Sequence, residues 1–245
     1  MGYQALGSPF NQWAYRVRRS AVRRALCVHG VAVDRCDILE VGFGTGFFVG
    51  LWTRLHARSV TVLDLMQRAV EELSTRFPRH RFLRQDISAP ACPVLGSFDV
   101  VTVFDVLFHL LDDRAFERAI ENVCRQVRAG GCLLLTDILS ATVTIQGLTQ
   151  RSRPLPAYTR ILEGCGLRIV GLHPVFFLMS RAPDLSRPWA RRLSSMYWGL
   201  ICAVLEKMPG MGRLIGPPGY AIDRLLQGSG ARGPSVKLLV ARREL

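Results

Sequence analysis

The order of apolar segments in this 245-residue chain predicts an α/β fold. It is a three-layer sandwich on a mostly parallel, seven-stranded sheet, with an N-terminal helix and a helical insertion before the last strand. Three observations predict it. Short runs rich in Val, Ile and Leu alternate with longer segments that are apolar at helical spacing. Those short runs are apolar at consecutive positions, as strands are when helices cover both faces of their sheet. Hydrophobic residues make up 49% and charged ones 21%, which suits a packed core and excludes a disordered chain.

Residues 10–29 (FNQWAYRVRRSAVRRALCVH) carry five arginines between apolar positions at helical spacing and predict an amphipathic helix ending at Gly30. CDILEV follows as a short buried strand, then a helix over Phe47–His56. SVTVLDL is the second strand, followed by a helix from Gln67 to Phe77; HRFLRQD is the third strand and FDVVTVFDVL the fourth. Asp112–Arg128 predicts a long helix with Phe116, Ile120, Val123 and Val127 on one face, closed by an Arg128-Ala129-Gly130-Gly131 turn before a fifth strand, CLLLTDIL. Residues 139–153 read as a polar connection, Leu155–Cys165 as a helix, and GLRIVGLHPVFFLM as a sixth strand or strand pair. SVKLLVARREL ends the chain as the last strand. The roughly fifty residues between these strands are too many for a plain loop. They predict helices over Pro188–Met208 and Tyr220–Leu226, separated by Gly216-Pro217-Pro218-Gly219. The expected organisation is an N-terminal helical cap (1–30), a cofactor-binding core (31–182), a helical insertion (183–230) and the final core strand (231–245).

The net charge is +13, and arginine carries it: Lys207 and Lys237 are the two lysines among 32 basic residues, leaving 30 arginines. Compositional bias and affinity for phosphate, nucleic acid or an anionic membrane both fit that excess. The seven cysteines (27, 36, 92, 124, 132, 165 and 202) form no CxxC pair and no metal-ligand spacing with histidine. They predict reduced, mostly buried thiols. The start, MGYQALGSPFNQW, lacks a signal-peptide pattern, and the apolar run Met196–Leu205 is shorter than a membrane span. The expectation is a cytoplasmic protein, with peripheral membrane contact left open.

On a parallel sheet, ligands bind outside the carboxyl ends of the strands, and that is where the informative residues fall. ILEVGFGTGFF (Ile38–Phe48) breaks an apolar run with Gly42, Gly44 and Gly46. A dinucleotide fold wants G-x-G-x-x-G; here the residue after Gly46 is Phe47, so that fingerprint fails. The pattern E-x-G-x-G-x-G, led by Glu40, resembles the first motif of the class I (Rossmann-like) S-adenosylmethionine-dependent methyltransferases. The resemblance runs from about Ile38 to Ile138 and implies a final antiparallel strand and S-adenosylmethionine as cofactor. It implies that Glu40 sits near the cofactor's positive charge and that the glycines let its amino-acid tail lie against the turn. Asp64 would bind the ribose hydroxyls beside Leu65, Asp86 the adenine amino group with Ile87 lining the ring, and Phe104 and Asp105 would flank the cofactor. Each aspartate taken singly also reads as a helix cap.

The acceptor is approached by exclusion. FDVLFHL carries no Asn/Asp-Pro-Pro-aromatic signature, no Pro-Cys pair stands in the chain, and an Asp-Asn acid cluster is absent. The stretch resembles small-molecule methyltransferases. Transfer to a hydroxyl oxygen by in-line displacement needs alignment and a proton acceptor; His109 is the candidate base, with capping of the next helix as the alternative. His173 and Asp137 are weaker candidates for the acceptor pocket. The acceptor is expected to be a secondary metabolite, sugar or lipid-linked compound, anionic or hydrophobic. The insertion, RPWARRLSSMYWGLICAVLEKM, reads either as a helix on a membrane or apolar channel, or as a lid or homodimer element. An RNA methyltransferase, supported only by the arginines, and a non-catalytic binding protein are the alternatives; no RNA-binding module is recognisable.

Overall fold

The computed structural model describes residues 6–90, 92–93, 95–140, 145–230 and 233–244. Residues 1–5 of the expected cap, 141–144 of the polar connection, and 231–232 and 245 at the final strand lie outside the described residues.

The sheet has seven strands in the order β3-β2-β1-β4-β5-β9-β8. These are β1 (Asp37–Val41), β2 (Ser59–Asp64), β3 (Arg81–Arg84), β4 (Phe98–Phe104), β5 (Val127–Asp137), β8 (Leu167–Pro174) and β9 (Lys237–Arg243). A separate two-stranded antiparallel hairpin pairs β6 (Ile145–Gln146) with β7 (Arg151–Ser152). Helices are α1 (Gly7–Val28), α2 (Phe47–Arg54), α3 (Gln67–Arg76), α4 (Asp113–Gln126), α5 (Leu155–Gly164), α6 (Pro188–Lys207) and α7 (Gly212–Gln227). The pairs β1–β2, β1–β4, β2–β3 and β4–β5 are parallel, and the direction reverses at the last strands. The chain divides into two compact units, residues 1–25 with 173–238, and residues 26–172 with 239–245.

The larger unit is built as its strands dictate. All seven residues of β4 are buried, because a central parallel strand is covered on both faces. Around it Leu39, Val101, Leu133, Leu135 and Leu239 pack with Phe116, Ile120 and Val123 of α4, the apolar face expected from helical spacing. That helix is capped by Asp112, whose Oδ1 accepts from Ala115 N at 2.7 Å.

Four elements differ from the sequence reading. The helix expected to reach Arg128 ends at Gln126, and β5 begins at once at Val127, pairing with Phe98 before a register shift at Val100. The Gly130-Gly131 pair serves this bulge: Gly130 has φ +71, and a Cβ on Gly131 would stand 3.0 Å from three backbone oxygens. The polar connection contains the β6–β7 hairpin. The sixth strand stops at Pro174 and is single. In the smaller unit, α7 runs unbroken through Gly216-Pro217-Pro218-Gly219, where two separate pieces were expected. The glycines there serve packing: a Cβ would come within 2.1 Å of Trp13 at Gly216 and 2.9 Å of Met179 at Gly219. The same helix buries Asp223, whose carboxylate accepts from the backbone nitrogens of Phe177, Leu178 and Met179 at 2.7–3.1 Å. Burial raises the Asp223 pKa and those three bonds oppose the rise.

Candidate functional site

The carboxyl ends of β1, β2, β3 and β4 carry the residues that the sequence singles out. After Val41 the chain turns through Gly42, Gly44 and Gly46, with φ of +74, +53 and +72. Three left-handed positions within five residues exclude any side chain with a Cβ at low cost. Gly42 N donates to Leu63 O at 2.8 Å and Gly46 N to Phe43 O at 2.9 Å, which pins the turn to β2 and to itself. A Cβ on Gly42 would lie 2.2 Å from Val106 Cγ2. The bare turn therefore packs directly on the segment that follows β4.

Glu40 lies beneath this turn. It is 1% exposed, and Trp52 Nε1 donates to its Oε2 at 2.8 Å. Phe48, Trp52 and Phe104 form an aromatic group around α2, with Phe48 and Phe104 ring centroids 4.4 Å apart. Burial pushes the Glu40 carboxyl up to about 8, against the opposing pull of the Trp52 bond. Burial thus makes the neutral form of Glu40 far more accessible than it is for an ordinary carboxylate.

Asp64 ends β2, and its Oδ1 accepts from Met66 N at 2.9 Å. Leu65 and Met66 beside it are each 58% exposed. Asp86 lies two residues past β3, and its Oδ1 accepts from Ser88 N and Ser88 Oγ at 2.8 and 2.7 Å. Both aspartates close a local turn through one oxygen, which leaves the second oxygen available to a ligand. Ile87 is buried. Its carbonyl accepts from Asn122 Nδ2 at 2.6 Å, and Arg118 Nε donates to Ser88 O at 3.0 Å. α4 thereby holds the Asp86 loop in place.

Phe104 is buried, and Asp105 adopts φ +57, a conformation Asp tolerates better than most side chains. Thr136 Oγ1 donates to Asp105 Oδ1 at 2.9 Å, and Asp105 N approaches the same hydroxyl at 2.9 Å. The left-handed residue redirects the chain into a 3₁₀ turn, Leu107–His109. Leu107 is buried while His109 is exposed beside the Phe108 ring, centroids 4.4 Å apart.

Sequence reasoning missed Arg151 and Arg153. Both reach the segment just after His109: Arg151 Nη1 and Arg153 Nη2 donate to Leu111 O at 3.0 and 3.2 Å. Both also pair with the Asp113 carboxylate, at 2.9 and 2.8 Å. The Arg153 guanidinium, 4.0 Å from the Phe116 ring centroid, is almost wholly buried. Its hydrogen bond is the main cause holding the Asp113 carboxyl below the usual carboxylate range. The R-x-R spacing was the available signal, since alternate strand positions share a face.

Asp137, a candidate for the acceptor pocket, is instead sealed in the core. It is 0% exposed and accepts from Tyr158 OH (2.5 Å), Ser152 Oγ (2.9 Å) and Ile138 N (2.6 Å). Burial raises its carboxyl to about 6. Its hydrogen bonds anchor the hairpin and α5 to the end of β5. His173 is half-buried in β8.

The comparisons with known proteins agree with this geometry. Residues 38–131 match the methyltransferase domain family. A Mycobacterium tuberculosis protein named as a probable S-adenosylmethionine-dependent methyltransferase is 31% identical over 205 residues, covering 82% of this chain and 71% of that protein. A ubiquinone biosynthesis O-methyltransferase of Albidiferax ferrireducens is 30% identical over 107 residues, 42% of this chain and 41% of that one. In fold, the 1,6-didemethyltoxoflavin-N1-methyltransferase of Burkholderia thailandensis, solved with S-adenosylhomocysteine bound, superposes with a TM-score of 0.56 at 14% identity. That match covers 94% of this chain and 78% of that one. By its glycine turn, its strand order and these relatives, the chain belongs to the S-adenosylmethionine-dependent methyltransferases, and S-adenosylmethionine is its cofactor.

Proposed function

We propose that the chain methylates a hydroxyl oxygen of a small-molecule acceptor, with His109 taking the proton. The observation that carries this reading is the position of His109. It is exposed on a turn whose Val106 packs against Gly42 of the glycine turn, and whose far end is gripped by Arg151 and Arg153. A base must be held in register with the bound donor, and these contacts couple the two turns. The names of two relatives, an O-methyltransferase of ubiquinone biosynthesis and a toxoflavin N1-methyltransferase, support a small-molecule acceptor and leave the methylated atom to experiment.

In this reading the three glycines and Glu40 receive the amino-acid end of the cofactor. The second oxygen of Asp64 takes the ribose hydroxyls beside exposed Leu65. Asp86 takes the adenine amino group with Ile87 behind the ring, and Phe104 and Asp105 border the donor. The group, when bound, supplies an electrophilic methyl on a sulfonium. His109 accepts the hydroxyl proton, which leaves oxygen a stronger nucleophile. Acceptor selection is assigned to the helical insertion (183–230), which stands outside the cofactor-binding core (31–182 and 231–245) in the sequence, as does the N-terminal cap (1–30).

The test combines calorimetric titration of S-adenosylmethionine with turnover on a panel of hydroxylated compounds read by mass spectrometry. Asp64→Ala should weaken cofactor binding by about tenfold or more. His109→Ala should leave that affinity unchanged and lower turnover by about 10²–10⁴-fold. Near-normal turnover of His109→Ala removes the base, and binding indifferent to Asp64→Ala removes the ribose assignment.

A further inference from the structure

The two helices of the insertion hide little of themselves. In α6 the exposed residues Trp189, Leu193, Met196 and Leu200 recur at intervals of four, three and four, a single stripe along the helix. The buried side of α6, at Leu205, lies opposite. α7 repeats the arrangement: Leu214, Ile222 and Leu225 are 69%, 42% and 76% exposed, while Gly212, Gly216, Asp223 and Gln227 form its buried side. The two helices are neighbours, since both line one apolar cavity of about 340 Å³ that borders the stripes at Tyr197, Leu214 and Ile222. A soluble domain rarely turns two adjacent apolar stripes outward.

The exposed charges of the same segment are nearly all positive. Across residues 185–228 the exposed charged side chains are Arg187, Arg191, Arg192, Lys207, Arg213 and Arg224 against Glu206 alone. Asp223 is buried under its three backbone donors. We infer that the α6–α7 face is a membrane-docking surface, which lays its apolar stripes into the headgroup region of an anionic bilayer while the flanking cations meet the lipid phosphates. Apolar area and surface cations together are what an interfacial helix needs. A second copy fits poorly: facing itself, the surface would set six cations against six with only Glu206 to offset them. Neither helix is long and apolar enough to cross a membrane, so the contact is interfacial.

Sedimentation of the full chain with sucrose-loaded vesicles tests this. Vesicles of phosphatidylcholine with about one-third phosphatidylglycerol should capture the protein, pure phosphatidylcholine should capture little, and added salt should release it. Leu193→Ser/Leu200→Ser/Leu225→Ser and, separately, Arg191→Gln/Arg192→Gln/Arg213→Gln should each lower partitioning by roughly tenfold or more. All six side chains are exposed, so circular dichroism and S-adenosylmethionine affinity should match the parent and certify the fold. The inference is overturned if anionic vesicles do not capture the protein, or if the stripe variant binds as well as the parent. It is also overturned if ultracentrifugation finds a dimer that the stripe variant dissociates. Because vesicle capture needs no methyl transfer, its failure leaves the acceptor reading standing, and the converse holds.

Discussion

Glu40 is the residue whose chemistry depends most on its surroundings. In the unfolded chain its carboxyl ionises near 4.5, and in the fold near 8 because burial disfavours the anion. Between those values the folded state binds more protons than the unfolded one, so this group lowers stability as pH rises and its effect levels off above about 8. The slope has an upper limit of ~1.4 kcal/mol per pH unit. Asp137, raised from 3.8 to about 6, acts with the same sign over a lower and narrower window. Glu40→Gln should keep the acceptor for Trp52 and flatten the loss of stability between pH 5 and pH 8, measured as the urea midpoint. An unchanged slope would show that Glu40 does not hold its proton. His109, by contrast, is exposed, and the test of its proposed role is kinetic.

Single elements owe their form to where the backbone is bare. Gly42→Ala places a Cβ 2.2 Å from Val106 Cγ2 at φ +74. The variant should lose about 1–3 kcal/mol of stability and bind S-adenosylmethionine more weakly, because the turn can relax only by pushing Val106 aside. A second element prediction concerns α7. Because Pro217 sits inside a continuous helix, Pro217→Ala should raise stability by about 1–3 kcal/mol, read by thermal or urea unfolding. An unchanged or lower stability would mean that the helix is broken there. Much of the first element was legible in the chain. The E-x-G-x-G-x-G spacing and the aspartates at 64, 86 and 105 follow from local backbone needs and strand order. The unbroken α7 was not legible, because Gly-Pro-Pro-Gly reads locally as a breaker. Gly216 is demanded by Trp13, some two hundred residues away in sequence, and Gly219 by Met179.

For the molecule as a whole, the charge of +13 sets its behaviour toward polyanions. Six of its cations are exposed on the α6–α7 segment, while others are spent internally, as Arg153 is on Asp113 and Phe116. Affinity for single-stranded RNA should therefore be non-specific, falling by roughly a few hundredfold between about 50 and 200 mM salt, measured by fluorescence anisotropy. A complex that persists at the higher salt would favour RNA as the acceptor.

The sequence by itself determined the sheet, the order of its strands along the chain, the glycine turn and the class of cofactor. These rest on periodicity and spacing within a few residues, which the local backbone enforces wherever the segment lies. Only the tertiary structure decided which groups face one another. It turned Glu40 to Trp52 and raised its pKa by burial, sealed Asp137 in the core, brought Arg151 and Arg153 to the turn behind His109, and left the stripes of α6 and α7 facing outward. Burial and pairing are set by residues distant in sequence, and no window of neighbours records them.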